Sequence, residues 1–162
     1  MDAGPLIDEE LAAFLQSGIA LHVASVGPGN VANLTRAAGC RIAPDRRSVT
    51  IYLVESQGRV VLDQVRANGA VAVVFTKPRS HRTVQLKGRD ARVCAANPAD
   101  LAEIDRQVEE FEAELRTIGF PERFGRTLAG GSAAGLAAVS FTPTSAFVQT
   151  PGPAAGTVLK CR

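Results

Sequence analysis

Between residues 19 and 95 the chain breaks repeatedly into short runs rich in Val, Ile and Thr, each bounded by turn-forming residues, and this punctuation most limits what it can fold into. The run IALHVASV, residues 19 to 26, is followed by Gly27-Pro28-Gly29-Asn30 and a second extended run from Val31, which together read as a hairpin. SVTIYLVE, residues 48 to 55, follows the charged turn Pro44-Asp45-Arg46-Arg47. It alternates Val49, Ile51 and Leu53 on one face with Thr50, Tyr52 and Val54 on the other. AVAVVFTK at 70 to 77 and RTVQLKGRDARVCA at 82 to 95 pair across KPRSH, with Gly88 as a bulge or bend. A last strand is expected near 136 to 143, LAAVSFTP.

Helical spacing appears in three places. Asp8 can cap a helix over residues 7 to 17, with Leu11, Phe14 and Leu15 on one side and Gly18 as a left-handed stop. Residues 57 to 67 carry Val61, Leu62 and Val65 at helical intervals, with Ser56 as the cap and Asn68-Gly69 as the stop. Val60 and Val61 are poor helix formers, so a strand competes there. The clearest helix opens at Asn97-Pro98 and carries Leu101, Ile104, Val108, Phe111, Leu115 and Ile118 before Gly119. That stripe is core or dimer surface. Residues 120 to 135 are Gly-rich and read as a mobile loop, and QTPGPAAG at 149 to 156 has too many Pro and Gly residues for regular structure.

No repeat or linker divides the chain, so residues 1–162 read as one domain, with a core over 6–148 and a tail over 149–162. The order of elements predicts a mainly β, α+β protein whose antiparallel sheet is closed or half closed into a barrel, with helices over its ends.

Charge and cysteine usage exclude several function classes. A formal net charge of +2 is too balanced for a nucleic-acid scaffold. The basic residues cluster, however: Lys77, Arg79, Arg82, Lys87, Arg89 and Arg92 face one acid, Asp90, between residues 77 and 92. That segment is either a solvated face or a place for a small anion. Cys40, Cys94 and Cys161 lie far apart with no Cys-x-x-Cys pair, which argues against a disulfide framework or a zinc site. The acidic opening MDAGPLIDEELAAF lacks signal-peptide character and no apolar run is long enough to span a membrane, so a cytoplasmic protein is expected.

In order, IALHVASV, VANLTRAAGCRI, PDRRSVTIYLVESQGR, ANGAVAVVF and HRTVQLKGRDARV resemble the core of the pyridoxamine 5'-phosphate oxidase-like split-barrel proteins over roughly residues 6 to 115. The ending SAFVQTPGPAAG is similar to a tail found in an uncharacterised bacterial branch of that group. The resemblance implies a six-stranded antiparallel split β-barrel, a homodimer, and flavin mononucleotide (FMN) in a groove between the subunits. Carried over by position, Arg36 is the basic residue of the second strand, and Ser56, Gln57, Gly58 and Arg59 open the helix that holds the phosphate. Arg82 and Thr83 match the fifth-strand region where a polar residue touches the flavin ring, and Val54 and Glu55 match positions flanking the ring. The family's Ser-Arg-Lys stretch is interrupted here, because Gln57 and Gly58 separate Ser56 from Arg59 and no Lys follows.

A phosphate at a helix N-terminus gains from free N–H groups and the dipole, and a guanidinium can bind it through two hydrogen bonds. Arg36 and Arg59 can equally serve as an internal ion-pair partner and a surface charge. No catalytic acid, base or nucleophile stands out, as expected where a cofactor performs the chemistry. Three readings stay open: an FMN-dependent oxidoreductase with an unknown small-molecule substrate, a split-barrel module that holds flavin or haem without turnover, and a cofactor-free structural dimer. For haem, His22 and His81 are the available ligands, and each can equally be structural.

Overall fold

The computed structural model describes residues 6–129 and 135–159. Among the described residues nine strands form two antiparallel sheets, and four helices pack around them. The five-stranded sheet has β1 (Ala20–Val26), β2 (Ala32–Ala37), β5 (Val71–Thr76), β6 (Thr83–Gly88) and β9 (Ser145–Val148), in the order β2-β1-β5-β6-β9. The four-stranded sheet has β3 (Gly39–Ile42), β4 (Val49–Val54), β7 (Arg92–Ala95) and β8 (Leu136–Phe141), in the order β3-β4-β8-β7. In three places the chain passes almost directly from one sheet to the other: through Ala38, through residues 89–91 and through residues 142–144. The second crossing follows Gly88, where a Cβ would lie 2.5 Å from Phe141 Cδ2. The bend expected there is real, and it divides 82 to 95 into β6 and β7.

The inner faces meet in one apolar core. Val49, Ile51 and Leu53 of β4 are fully buried in it with Val23, Val73, Phe75 and Leu86. The other side of β4 is covered as well, because Tyr52 lies in a smaller cluster with Ile104, Val108 and Ala138 under α3 (Leu101–Thr117). The alternation read in β4 therefore separates two cores rather than core from solvent.

The helices follow their local signals with some corrections. In α1 (Glu9–Leu15) the Asp8 carboxylate accepts the Leu11 N–H at 2.8 Å, as a capping residue should. Gly18 is not left-handed. It is required because a Cβ there would meet the Glu110 carbonyl carbon of α3 at 2.3 Å. The α2 helix (Glu55–Asn68) starts two residues earlier than expected, with Val54 in the capping position, so Ser56 lies inside the first turn and is not the cap. Val61, Leu62 and Val65 are buried in the main core while Val60 points to solvent; tertiary burial outweighs the weak helix propensity of two β-branched residues. Gly69 ends α2 at φ 68°, donating its N–H to Val65 O.

The α3 helix buries Ile104, Val108, Phe111 and Leu115, whereas Ile118 at its end is 44% exposed. Within the segment expected to be a loop, a short helix α4 (Phe124–Ala129) packs on α3. Gly125 makes this approach possible, since a Cβ there would lie 2.7 Å from Glu112 Cγ. The remainder of that segment, residues 130–134, falls outside the described residues. β9, a strand the sequence pattern did not separate from the tail, pairs with β6, and the chain then folds back so that Phe147 bridges Val158. No described helix is long and apolar enough to cross a membrane.

Candidate functional site at the start of helix α2

β4 runs into α2 without a loop: Val54 ends the strand and Glu55 begins the helix. Val54 has no side-chain acceptor, so none of the first N–H groups of α2 is satisfied by a side-chain cap. The Glu55 N–H is taken by Gly135 O at 2.7 Å, just before β8. Beside this junction lies a cavity of about 400 Å³ lined by Val54, Glu55, Ser56, Arg59, Asp63, Arg66 and neighbouring apolar surface. Asp63 and Arg66 neutralise each other at 2.8 Å. Arg59 is exposed and has no ion-pair partner among the described residues. The uncapped helix end and this guanidinium favour an anion, and the Glu55 carboxylate opposes them.

Gly58 lets α2 sit this low. It is buried, and a Cβ there would lie 2.0 Å from Leu53 Cδ1 and 3.4 Å from Thr35 Cγ2. Thr35 is therefore the β2 residue that meets α2 at Gly58. Arg36, next in the strand, points to the opposite face and is exposed. Residues Val54, Glu55, Ser56, Gln57, Gly58 and Arg59 come together at one junction, but within the chain Arg36 does not join them.

Arg36 instead stands on the outer face of the five-stranded sheet, opposite His22 of β1. Burial of the half-exposed imidazole, helped by the Arg36 charge, pulls the His22 pKa below its ordinary value, so His22 is neutral near pH 7. Thr83 shares this sheet face at its other side: its hydroxyl donates to His81 O at 2.9 Å and its N–H donates to Thr150 Oγ1 at 2.9 Å. Arg82 turns toward α1, where it lies 3.3 Å from Glu10 and 4.4 Å above the Phe14 ring. His81 adopts φ 57° in the preceding turn. Among the described residues no cluster of His, Cys, Asp or Glu has the arrangement of a metal site.

Strand alternation was the signal that singles out Thr35. Ala37 is buried in the core, so Thr35 two residues earlier must face inward and Arg36 outward.

No family model matches this sequence, and no curated protein matches it. Solved structures do match. An F420 reductase superposes with a TM-score of 0.55 at 15% identity, covering 86% of this chain and 98% of its own. HupZ of Group A Streptococcus gives a TM-score of 0.55 at 14% identity, covering 93% of this chain and 99% of its own. A putative pyridoxamine 5'-phosphate oxidase from Lactobacillus delbrueckii gives a TM-score of 0.52 at 11% identity, covering 91% of this chain and 98% of its own. The two antiparallel sheets and their helices thus form a split-barrel-like fold. The likeness to pyridoxamine 5'-phosphate oxidase-like proteins, first visible in the order of strands, holds at the level of that fold.

Proposed function

We propose that the chain binds FMN and acts as a flavin-dependent oxidoreductase on a small-molecule substrate, working as a homodimer. The observation that carries this reading is the α2 junction, where a helix N-terminus without a side-chain cap and Arg59, which has no ion-pair partner among the described residues, line one cavity. Ser56 and the first-turn N–H groups would hold the phosphate, Arg59 would neutralise it, and Val54 and Glu55 would flank the ring. When bound, FMN supplies the electron transfer itself, and the protein contributes binding, orientation and exclusion of water.

The pairing pattern supports the six-stranded barrel. Counting each run that crosses between sheets as one strand leaves β1, β4 and β5 beside three bent strands, and the antiparallel pairings connect all of them in a ring. Arg36 and Thr83 stand on the outer face of the five-stranded sheet, so the proposal assigns them to the groove shared with a second copy. Solved split-barrel neighbours named as an F420 reductase and a putative pyridoxamine 5'-phosphate oxidase raise the prior for redox chemistry, although a fold alone does not set a reaction.

The test is an absorption spectrum of the purified protein before and after excess FMN and gel filtration, repeated on Arg59→Ala, Ser56→Ala and Arg36→Ala. Flavin bands that co-elute with the wild type, with binding weakened at least tenfold in Arg59→Ala, support the proposal. Lack of binding at high FMN overturns it. A Soret band in the protein as purified moves the assignment to haem and to His22 or His81.

A further inference from the structure

A second cavity, of about 320 Å³, opens on the outer face of the five-stranded sheet, at the end away from Thr83. Its floor follows from the sequence. Ala24 of β1 is paired with Ala72 of β5, and Ala72 with Lys87 of β6, so two methyl groups lie side by side on this face. Leu34, paired with Ala24 from β2 and 69% exposed, rises beside this floor. The volume is at the small end of the range for ligand sites, enough for a compact organic molecule.

The charges around the cavity have one sign. Lys87 and Arg89 line it, and among the described residues no carboxylate does. Neither cation has an ion-pair partner among the described residues. Lys87 is held with its ammonium 5.0 Å from the centre of the Phe147 ring, a contact that leaves its charge uncompensated. Asp90, the adjacent acid in the chain, accepts the Thr142 N–H at 2.9 Å and lies outside the lining. Ser145, paired with Lys87, adds a hydroxyl that has no hydrogen-bond partner among the described residues.

We propose that this cavity binds a small organic carboxylate, with its apolar body on Ala24 and Ala72 and its carboxylate between Lys87, Arg89 and Ser145. A guanidinium and an ammonium both attract a carboxylate and can donate to its two oxygens, and the alanine floor rewards an apolar body over a bare ion. The site shares the outer face of the five-stranded sheet with Arg36 and Thr83, lies at the end away from Thr83, and is lined by none of the residues assigned to flavin.

The test follows alanine methyl signals by NMR during titration of the full-length protein with benzoate, and in parallel with neutral benzamide. Benzoate should shift the Ala24 and Ala72 methyls saturably, with benzamide at least tenfold weaker. Lys87→Ala and Arg89→Ala should each weaken benzoate at least fivefold, Ala72→Leu should abolish binding by filling the floor, and Arg59→Ala should leave it unchanged. Equal affinity for benzoate and benzamide, undiminished binding in a Lys87→Ala/Arg89→Ala variant, or shifts confined to other methyls overturns the proposal. Loss of flavin binding in Arg59→Ala with retained benzoate binding would separate the two sites.

Discussion

Gln107 grips Cys40 by both ends of its amide: Nε2 donates to Cys40 O at 2.7 Å and Oε1 accepts the Cys40 N–H at 3.0 Å. β3 is an edge strand, and this glutamine from α3 occupies the place a neighbouring strand would take. Gln16, just beyond α1, does the same for the Ile42 N–H at 3.0 Å. Gln107→Ala leaves two backbone groups of a buried residue unpaired, at roughly 1–3 kcal/mol each. Urea unfolding is expected to show a loss of about 2–4 kcal/mol. A loss under about 0.5 kcal/mol, the scale of an ordinary surface change, would mean that water replaces the amide.

Tyr52 and Asp100 form the second tie between α3 and the sheet. The Tyr52 hydroxyl donates to Asp100 Oδ2, and Arg41 approaches Asp100 Oδ1 at 3.5 Å. Burial, and then the bond to the carboxylate, push the Tyr52 pKa far above its usual value, so the hydroxyl remains a donor throughout the range in which the protein can be handled. Tyr52→Phe keeps the ring and removes the donor, leaving a buried carboxylate with one partly exposed arginine. The expected cost is about 1.5–3 kcal/mol, the range for a hydrogen bond to a charged group. Adding Asp100→Asn to Tyr52→Phe should cost less than the sum of the single changes, because the two residues share one interaction.

Gly58→Ala sets two effects against each other. Alanine gains about 1 kcal/mol of helix propensity over glycine. Its Cβ, however, would lie 2.0 Å from Leu53 Cδ1, and Leu53 is fully buried, so its side chain must shift within the core. Overpacking of this kind costs about 1–3 kcal/mol, so after the helix-propensity gain the variant is expected to be destabilised by up to about 2 kcal/mol. Leu53→Val removes the obstructing methyl. In a double-mutant cycle by urea unfolding, the pair should be less destabilised than the two single changes added together.

The parts of the fold legible in the sequence were those set by local periodicity. Asn97-Pro98 and the apolar stripe of α3 identify that helix, and the Val49/Tyr52 alternation identifies β4, because each residue's environment is set by its near neighbours. Gly18, α4 and β9 depend on distant partners. Gly18 answers to Glu110 rather than to the end of its own helix, α4 is held through Gly125 and the Arg126 N–H on Glu112, and β9 acquires its identity by pairing with β6. The site divides in the same way. Residues 54 to 59 are contiguous, so a strand-to-helix junction gathers them unaided, whereas Arg36 is carried away from them by the one-residue alternation that sends Thr35 inward.

His22 gives the pH dependence of stability a definite sign. Its pKa is lowered in the folded protein, first by burial and second by Arg36, so over the interval between its folded value and the ordinary histidine value of about 6.5 the unfolded chain binds more protons. Stability contributed through this group is therefore complete above that ordinary value and declines as the pH falls through the interval. Urea unfolding of the wild type should show this decline on going from about pH 7 to about pH 5. His22→Gln, which cannot titrate, should flatten it. Arg36→Ala should flatten it only in part, since it removes the smaller of the two causes, and the His22 ring proton followed by NMR should then titrate at a higher pH than in the wild type. An unchanged titration in Arg36→Ala would mean that the guanidinium across the strand pair does not act on His22; an unchanged unfolding profile in His22→Gln would mean that protonation of His22 does not set the decline between about pH 7 and about pH 5, a window above the one in which Glu103, held low first by its hydrogen bond from Arg106, can contribute.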